Sequence, residues 1–381
     1  MEIFISAGEA SGDLHASRLA RAIWAIAPQT RICCLGGAHM QAEGVRVVVD
    51  NRKISVVGGT EVAGHIRQIY GAWTKIRSHL LAVRPAVVVL IDFPDFNLFL
   101  ARFAQKIGAR VFYYISPQVW GWRTGRVRKI RKLVDRMAVI LPFEKEFYAS
   151  YGMNVDYVGH PLVDIMAELP DKARCDRLYR ACDGPLIGLL PGSRHGEIKL
   201  LLDILMDAGR IISQSLPAAG FIMPMAPSLD PVEIEKRVAR WSLPVRIVSG
   251  DTYGVIKACD LILTASGTVT LEAAILETPM IILYKLSKLS TQIGRFLIRA
   301  GFAGLPNLIA GREIAPEFVR EEPTGPRLAE CAVRLLTNPG LLNEQKLMLG
   351  KIHGELGAPG ISARVARLVL ETAGATTNQE L

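Results

Sequence analysis

The chain has 381 residues, half of them hydrophobic and 21% charged, which is enough apolar material for more than one packed core and excludes a disordered chain. Its 45 basic and 36 acidic residues leave a net charge of +9, so an anionic partner is expected: a phosphorylated substrate, an anionic membrane surface or nucleic acid. The six cysteines (33, 34, 175, 182, 259 and 331) form no C-x-x-C pair and sit mostly in apolar runs, which excludes a disulfide framework and suits a reducing compartment.

The N-terminus enters an apolar strand over residues 3–7, with Glu2 where a signal peptide would carry positive charge. That strand breaks on Gly8-Glu9-Ala10-Ser11-Gly12 and gives way to a helix. Further strands are predicted over 32–36, 86–92, 111–116 and 137–141. A second series follows over 186–190, 221–223, 246–248, 261–264 and 280–284. Continuous Val/Ile/Leu runs separated by amphipathic stretches indicate parallel strands covered on both faces. The expected fold is therefore α/β: two Rossmann-like, doubly wound parallel-sheet domains facing a cleft. Residues 1–183 form the first domain and 184–360 the second, with a C-terminal helix and frayed tail over 361–381. No apolar run reaches the ~18–20 residues that span a bilayer, so no membrane crossing is expected. The mean hydropathy of +0.26 is nonetheless high for a soluble enzyme.

In open parallel sheets, ligands bind beyond the carboxyl ends of the strands, where helix N-termini present N–H groups. Small-residue turns are expected there because a larger side chain would keep an anion from the backbone. "IGLLPGSRHGEI" is such a turn: Gly192 and Ser193 free the backbone and Arg194 adds a forked cation suited to a diphosphate. "LILTASGTVTLEAA" is another, with Ser266, Gly267 and Thr268 between strand and helix. Glu272 lies one helical turn deeper and suits a ribose diol, a surface glutamate being the alternative. Neither stretch is a P-loop or a G-x-G-x-x-G fingerprint, which disfavours a P-loop NTPase and a dinucleotide dehydrogenase.

"VVVLIDFPDFNLFLARFA" places Asp92 at the end of a strongly apolar strand, with Asp95 and Asn97 in the turn that follows. Desolvation at a strand end raises a carboxylate toward general-base range, which makes Asp92 the base candidate. Asp95 or Asn97 is expected to cap a helix entered at Leu98. No H-x-x-x-H pair or Cys/His cluster appears, so no metal is expected, and His160 in "VGHPL" reads as structural. No G-x-S-x-G elbow supports a serine hydrolase.

Two stretches bear on the positive charge. Residues 118–136 hold seven basic residues and one acidic, behind Trp120 and Trp122. This is either a solvated basic helix or a patch for phosphate or lipid headgroups. Val62, Ile66, Ile69, Tyr70, Trp73, Ile76 and Leu80 fall at helical spacing among Arg67, Lys75 and Arg77, as a core stripe or a membrane or acyl-chain face.

The words "SAGEASGD", "IDFPDFN", "SPQVWGWR", "LPFEKEFY", "VGHPL", "LLPGSR", "ASGTVTLE" and "LPNLIAGRE" occur in the order and rough spacing of the lipid A disaccharide synthase family, which this chain resembles from Ser6 to about Glu313. Gln118 and Gly121 depart from that pattern, standing where Ser and Ala are expected. The resemblance implies a GT-B glycosyltransferase without cofactor or metal. It would join UDP-2,3-diacylglucosamine to 2,3-diacylglucosamine 1-phosphate, giving a β-1',6-linked tetraacyl disaccharide 1-phosphate and UDP. It further implies inversion at the anomeric carbon, with Asp92 deprotonating the acceptor 6-hydroxyl. Arg194, Ser193 and the N–H groups around Ser266, Gly267 and Thr268 would stabilise leaving UDP. Glu272 would hold the ribose, Asn307 would line the donor site, and Glu9, Ser11 and Gly12 would shape the acceptor side with Asp95 and Asn97. Such an enzyme would be cytoplasmic and peripheral on the anionic inner face of the inner membrane. Nucleic acid is not an expected partner, and the resemblance allows a homodimer. The rival readings are a UDP-N-acetylglucosamine 2-epimerase-like enzyme on the same plan, a non-catalytic UDP-sugar-binding protein at the membrane, and an RNA-binding protein using the basic segment.

Overall fold

A computed structural model describes residues 1–54, 62–122, 124–226, 229–284, 302–319 and 323–374, the side chains of 53, 62–66 and 122 excepted. The chain divides into two compact units, one of Met1–Asp164 with Gly357–Leu381 and the other of Ile165–Leu356.

The first unit is built on β1 (Glu2–Ala7), β2 (Arg31–Gly36), β3 (Arg46–Asp50), β4 (Val87–Ile91), β5 (Arg110–Tyr114), β6 (Arg136–Val139) and β7 (Asp156–Tyr157). They form one sheet in the order β3-β2-β1-β4-β5-β6-β7, every neighbouring pair parallel. The second unit carries β8 (Leu186–Leu190), β9 (Gly220–Met225), β10 (Val245–Ser249), β11 (Leu261–Ala265), β12 (Met280–Leu283) and β13 (Glu317–Phe318). Their order is β10-β9-β8-β11-β12-β13, again all parallel.

Every strand expected from the apolar runs is present within a residue or two at its ends. β3, β7 and β13 were not expected. The last two have only two residues each, and the first is a half-exposed edge strand between Arg46 and Asp50. The central strands explain why their sequences lack alternation: all five residues of β4, Val87 to Ile91, are fully buried because helices cover both faces.

In each sheet the strand order reverses beside the first strand, between β1 and β4 in one unit and between β8 and β11 in the other. Chains leaving the carboxyl ends of these four strands diverge to opposite faces, opening the crevice where ligands bind in this class of sheet. The turns after β1, β4, β8 and β11 are the four small-residue or acidic turns of the sequence.

The division between units differs from the expected break at 183/184. The polar segment before β8 is anchored inside the second unit: Arg180 pairs with Asp260 at 2.9 Å, and Lys172 donates to the carbonyls of Lys257 and Ala258 at 3.0 and 3.3 Å. The C-terminal helix Ile361–Thr372 is no appendage. It packs on helix Ala10–Ile26 of the first unit, and Asp164 caps its start by accepting from the Gly360, Ile361 and Ser362 amides. Among the described residues, no helix is long and apolar enough to cross a membrane.

Candidate functional site

In the first unit the turn after β4 departs most from ordinary backbone. Asp92 and Phe93 lie in the left-handed region with φ of 45° and 46°. For non-glycine residues this costs roughly 1–2 kcal/mol each, so the surroundings must impose it. Asn97, fully buried, donates through Nδ2 to the carbonyls of Asp92 at 2.7 Å and Ile91 at 3.2 Å, while its Oδ1 accepts from Ser6 Oγ at 2.6 Å. The Tyr113 hydroxyl donates to the same Asp92 carbonyl at 2.8 Å. From the β1 side, Gly8 makes room for the Phe93 ring: a Cβ on Gly8 would lie 2.3 Å from its carbons.

These contacts correct the expected capping. The helix runs Pro94–Lys106, starting four residues before Leu98, and its N-cap, Phe93, makes no side-chain cap bond. Asn97 points back beneath Asp92 instead. Asp95 is exposed on the first turn and pairs with Arg126.

Burial pushes the Asp92 carboxyl up to about 6, and the nearby negative charge of Glu9 adds to the rise, while a hydrogen bond from the Phe93 amide opposes it. Glu9 and Ser11 are exposed where helix Ala10–Ile26 begins, and Gly12 is buried against Ala7 and Ile91. The structure thus gathers Glu9, Asp92 and Asn97 around the crevice between β1 and β4 and leaves Asp95 on its outer side.

Two carboxylates that sequence reasoning passed over organise the neighbouring turns. Asp13, at the end of "SAGEASGD", accepts from the Gly37 and His39 amides at 2.6 and 2.8 Å and so ties the turn after β1 to the turn after β2. Glu144, 1% exposed, accepts from Ser116 Oγ, Trp120 Nε1 and the Ile140 and Leu141 amides, joining "SPQVWGW" to "LPFEKEF". Both belong to conspicuous motif words, and that was their only sequence signal. His160 is buried, and burial with His15 nearby lowers its imidazole to about 3, which keeps it neutral and suits its structural reading.

In the second unit the turn after β8 places Gly192 at φ 107°, directly against Glu197. The Glu197 carboxylate accepts from the Ser193 and Arg194 amides at 3.0 and 3.2 Å, satisfying two N–H groups at the start of helix His195–Ser215. Two N–H groups expected to face an anion are therefore already bonded. The Arg194 guanidinium remains 83% exposed, with a loose contact to Glu197 at 3.4 Å.

After β11, Ser266 is half-buried while the exposed residues Gly267 and Thr268 open helix Thr268–Ile275. Ser266 Oγ donates to the Ala303 carbonyl at 2.7 Å, and the Leu305 amide donates to Thr270 Oγ1 at 3.4 Å, so "ASGTVT" and "LPNLIAG" are neighbours. Burial alone raises the Glu272 carboxyl to about 7. Asn307, expected at the donor site, is fully buried with its amide spent inside the unit. It accepts from the Ile314 and Ala315 amides and donates to the Ala315 carbonyl and to Glu317. Glu317 in turn holds the Ala303 and Gly304 amides at 2.7 and 2.9 Å. Asn307 therefore shapes the loop next to Ser266 from behind. Among the described residues, no three His, Cys, Asp or Glu side chains come together in a way that could hold a metal ion.

Of the expected membrane face, Val62 and Ile66 have side chains outside the described residues. Ile76 and Leu80 are fully buried core, and Ile69 and Trp73 pack half-buried against it. Tyr70 is 70% exposed, and Phe99, 51% exposed on the adjoining helix, meets Trp73 edge-on at 4.4 Å. The basic helix Val127–Leu133 buries Val127, Ile130 and Leu133 and exposes Arg128, Lys129, Arg131 and Lys132.

A family model described as lipid-A-disaccharide synthetase matches residues 3–358. A lipid-A-disaccharide synthase of Geobacter metallireducens is 41% identical over 375 residues, covering 98% of this chain and 97% of the relative, and one of Myxococcus xanthus is 40% identical over 372 residues, with 97% of each covered. Among solved structures, a UDP-N-acetylglucosamine 2-epimerase from Neisseria meningitidis bound to UDP-GlcNAc superposes with a TM-score of 0.63 at 13% identity, over 97% of this chain and all of that one. MurG from Acinetobacter baumannii gives 0.60 at 14% identity, over 97% and 99%. At such identities these structures show the fold alone, the double-Rossmann GT-B plan.

Proposed function

Because the chain belongs to the lipid-A-disaccharide synthetase family, we propose that it is an inverting glycosyltransferase that transfers 2,3-diacylglucosamine from UDP to the 6-hydroxyl of 2,3-diacylglucosamine 1-phosphate. The products are the β-1',6-linked tetraacyl disaccharide 1-phosphate and UDP. The observation that carries the chemistry is Asp92: a desolvated carboxylate with its affinity for protons raised, held in strained backbone at the switch point of the first sheet. In this reading it removes the acceptor hydroxyl proton as the oxygen attacks the anomeric carbon from the face opposite UDP. Asp95, exposed and paired with Arg126, lacks the desolvation that would suit it to that task.

The second unit takes the donor. Arg194 supplies charge to the diphosphate, and the Gly267 and Thr268 amides at the start of helix Thr268–Ile275 supply N–H groups, so that the charge developing on leaving UDP meets oriented donors. Glu272 accepts from the ribose hydroxyls. Asn307 acts through Glu317 and the loop beside Ser266 rather than on the nucleotide. The exposed Tyr70 and Phe99 and the basic face of Val127–Leu133 suit contact with an anionic membrane, from which two acylated substrates must be drawn.

The test is turnover of both acylated glucosamine substrates in detergent, with the tetraacyl disaccharide followed by mass spectrometry and UDP binding measured in parallel. Wild-type enzyme is expected to form the disaccharide. Asp92→Asn is expected to lose at least about a hundredfold in kcat while binding UDP normally. Disaccharide formation by Asp92→Asn at the wild-type rate would remove Asp92 from the chemistry. UDP binding by the wild type without disaccharide would reject the transferase.

A further inference from the structure

Asp92 has a backbone carbonyl that accepts two buried side-chain donors from different elements. Asn97 Nδ2 reaches it at 2.7 Å from helix Pro94–Lys106, and Tyr113 Oη reaches it at 2.8 Å from β5. The Asn97 amide has a defined direction because the Asp92 and Ile91 carbonyls can only accept, which turns Nδ2 to the turn and leaves Oδ1 to take the Ser6 hydroxyl at 2.6 Å. Ser6, Asn97 and Tyr113 are all fully buried. A phenylalanine would fill the volume of Tyr113 equally well, and the hydroxyl donates to this carbonyl. On the opposite side, the Phe93 ring sits in the space left by Gly8.

Holding the peptide that follows Asp92, with β4 holding the peptide before it, fixes the direction of the Cα–Cβ bond. Only χ1 and χ2 then remain to aim the carboxylate, and the left-handed backbone turns the side chain away from the path a continuing strand would give it. We infer that Ser6, Asn97 and Tyr113 are positioning residues that clamp the Asp92 carbonyl and so aim the Asp92 carboxylate at the acceptor hydroxyl. This rests on the reading of Asp92 as base. The clamp acts on geometry; the charged or titratable groups around Asp92 are Glu9 from the turn after β1 and Tyr113 itself, with the Asp95–Arg126 pair beyond them.

The experiment compares full-length Tyr113→Phe, Ser6→Ala and Asp92→Asn with wild type in kcat, KM for both substrates, UDP affinity and the pH dependence of kcat/KM. With the clamp as inferred, Tyr113→Phe loses about tenfold or more in kcat, since small misplacements of a reacting group are costly. Its KM values and UDP affinity stay within about twofold of wild type. Its acid limb moves to lower pH, because a released carboxylate turns toward water. Ser6→Ala shows the same pattern more weakly and decides the matter if Tyr113→Phe does not fold. Wild-type kcat in both clamp variants, with Asp92→Asn inactive, overturns the clamp and leaves the base in place. A fall in kcat matched by lost UDP affinity, with an unmoved acid limb, also overturns it, as general structural damage. Wild-type turnover by Asp92→Asn overturns the base, and the clamp with it.

Discussion

Asp92 and Glu272 share a physical situation that makes them informative variants: each is a carboxylate raised by burial, to about 6 and about 7. A group whose folded-state value is raised contributes stability below its unfolded value and loses it as pH rises through the folded value. At pH 8 both are therefore charged and cost the fold stability. Asp92→Asn and Glu272→Gln are each expected to raise Tm at pH 8, on the order of 2–5 °C, and to show little gain at pH 4. Thermal melts at the two pH values check this, and an unchanged or lower Tm at pH 8 would contradict it. The variants should then part company: Asp92→Asn loses kcat with UDP affinity intact, whereas Glu272→Gln weakens UDP about tenfold if its carboxylate accepts from the ribose. Glu9 adds a finer test. Its negative charge contributes to the rise at Asp92, so Glu9→Gln lowers the Asp92 value and shifts the acid limb of kcat/KM to lower pH. A limb that stays put or moves upward would show that another group sets it.

At the level of elements, the sequence was legible wherever burial on both faces left an uninterrupted apolar run. That is why the buried strands 87–91, 186–190 and 261–265 were read nearly to the residue, while the two-residue strands β7 and β13 carry too little pattern to see. The turns after β1, β8 and β11 were also legible, because tight strand-to-helix turns demand small residues, and the turn after β4 was legible from the carboxylate that ends its apolar strand. Their internal wiring was not. Asn97 reads as a cap by spacing, yet bonds backward to Asp92; Asn307, which the resemblance puts at the donor site, bonds to residues 314–317; Glu144 gathers donors from as far as 28 residues away in sequence. Each depends on where a side chain points after tertiary packing, which one-dimensional spacing does not encode. Gly8 tests the wiring at the first of these turns. Its Cβ would strike the Phe93 ring, so Gly8→Ala must displace Phe93 and, with it, the turn bearing Asp92. A loss of kcat of about tenfold or more is expected, with UDP affinity in the second unit unchanged. Normal turnover by Gly8→Ala would show that the turn tolerates displacement.

For the molecule as a whole, the question is how an enzyme lacking a membrane-crossing helix among its described residues would reach substrates that carry acyl chains. The net charge of +9 is concentrated: residues 118–136 alone supply seven basic side chains against one acidic. In the folded chain this segment is not uniformly basic surface. Helix Val127–Leu133 sinks Val127, Ile130 and Leu133 into the core and turns Arg128, Lys129, Arg131 and Lys132 outward. It packs against helix Pro94–Lys106, which carries the half-exposed Phe99, itself edge-on to Trp73. Cations beside exposed aromatics combine the two terms that hold a protein at an anionic bilayer, and the charge term is screened by salt whereas the apolar term is not. Binding to vesicles rich in anionic lipid should therefore weaken steeply as salt rises, and Phe99→Ser with Tyr70→Ser should weaken it further at every salt concentration. The same double variant should turn over detergent-dispersed substrates normally and lose activity only when they are presented in vesicles. Equal activity in both formats, or vesicle binding indifferent to salt and to the two aromatics, would place the membrane contact elsewhere on the chain.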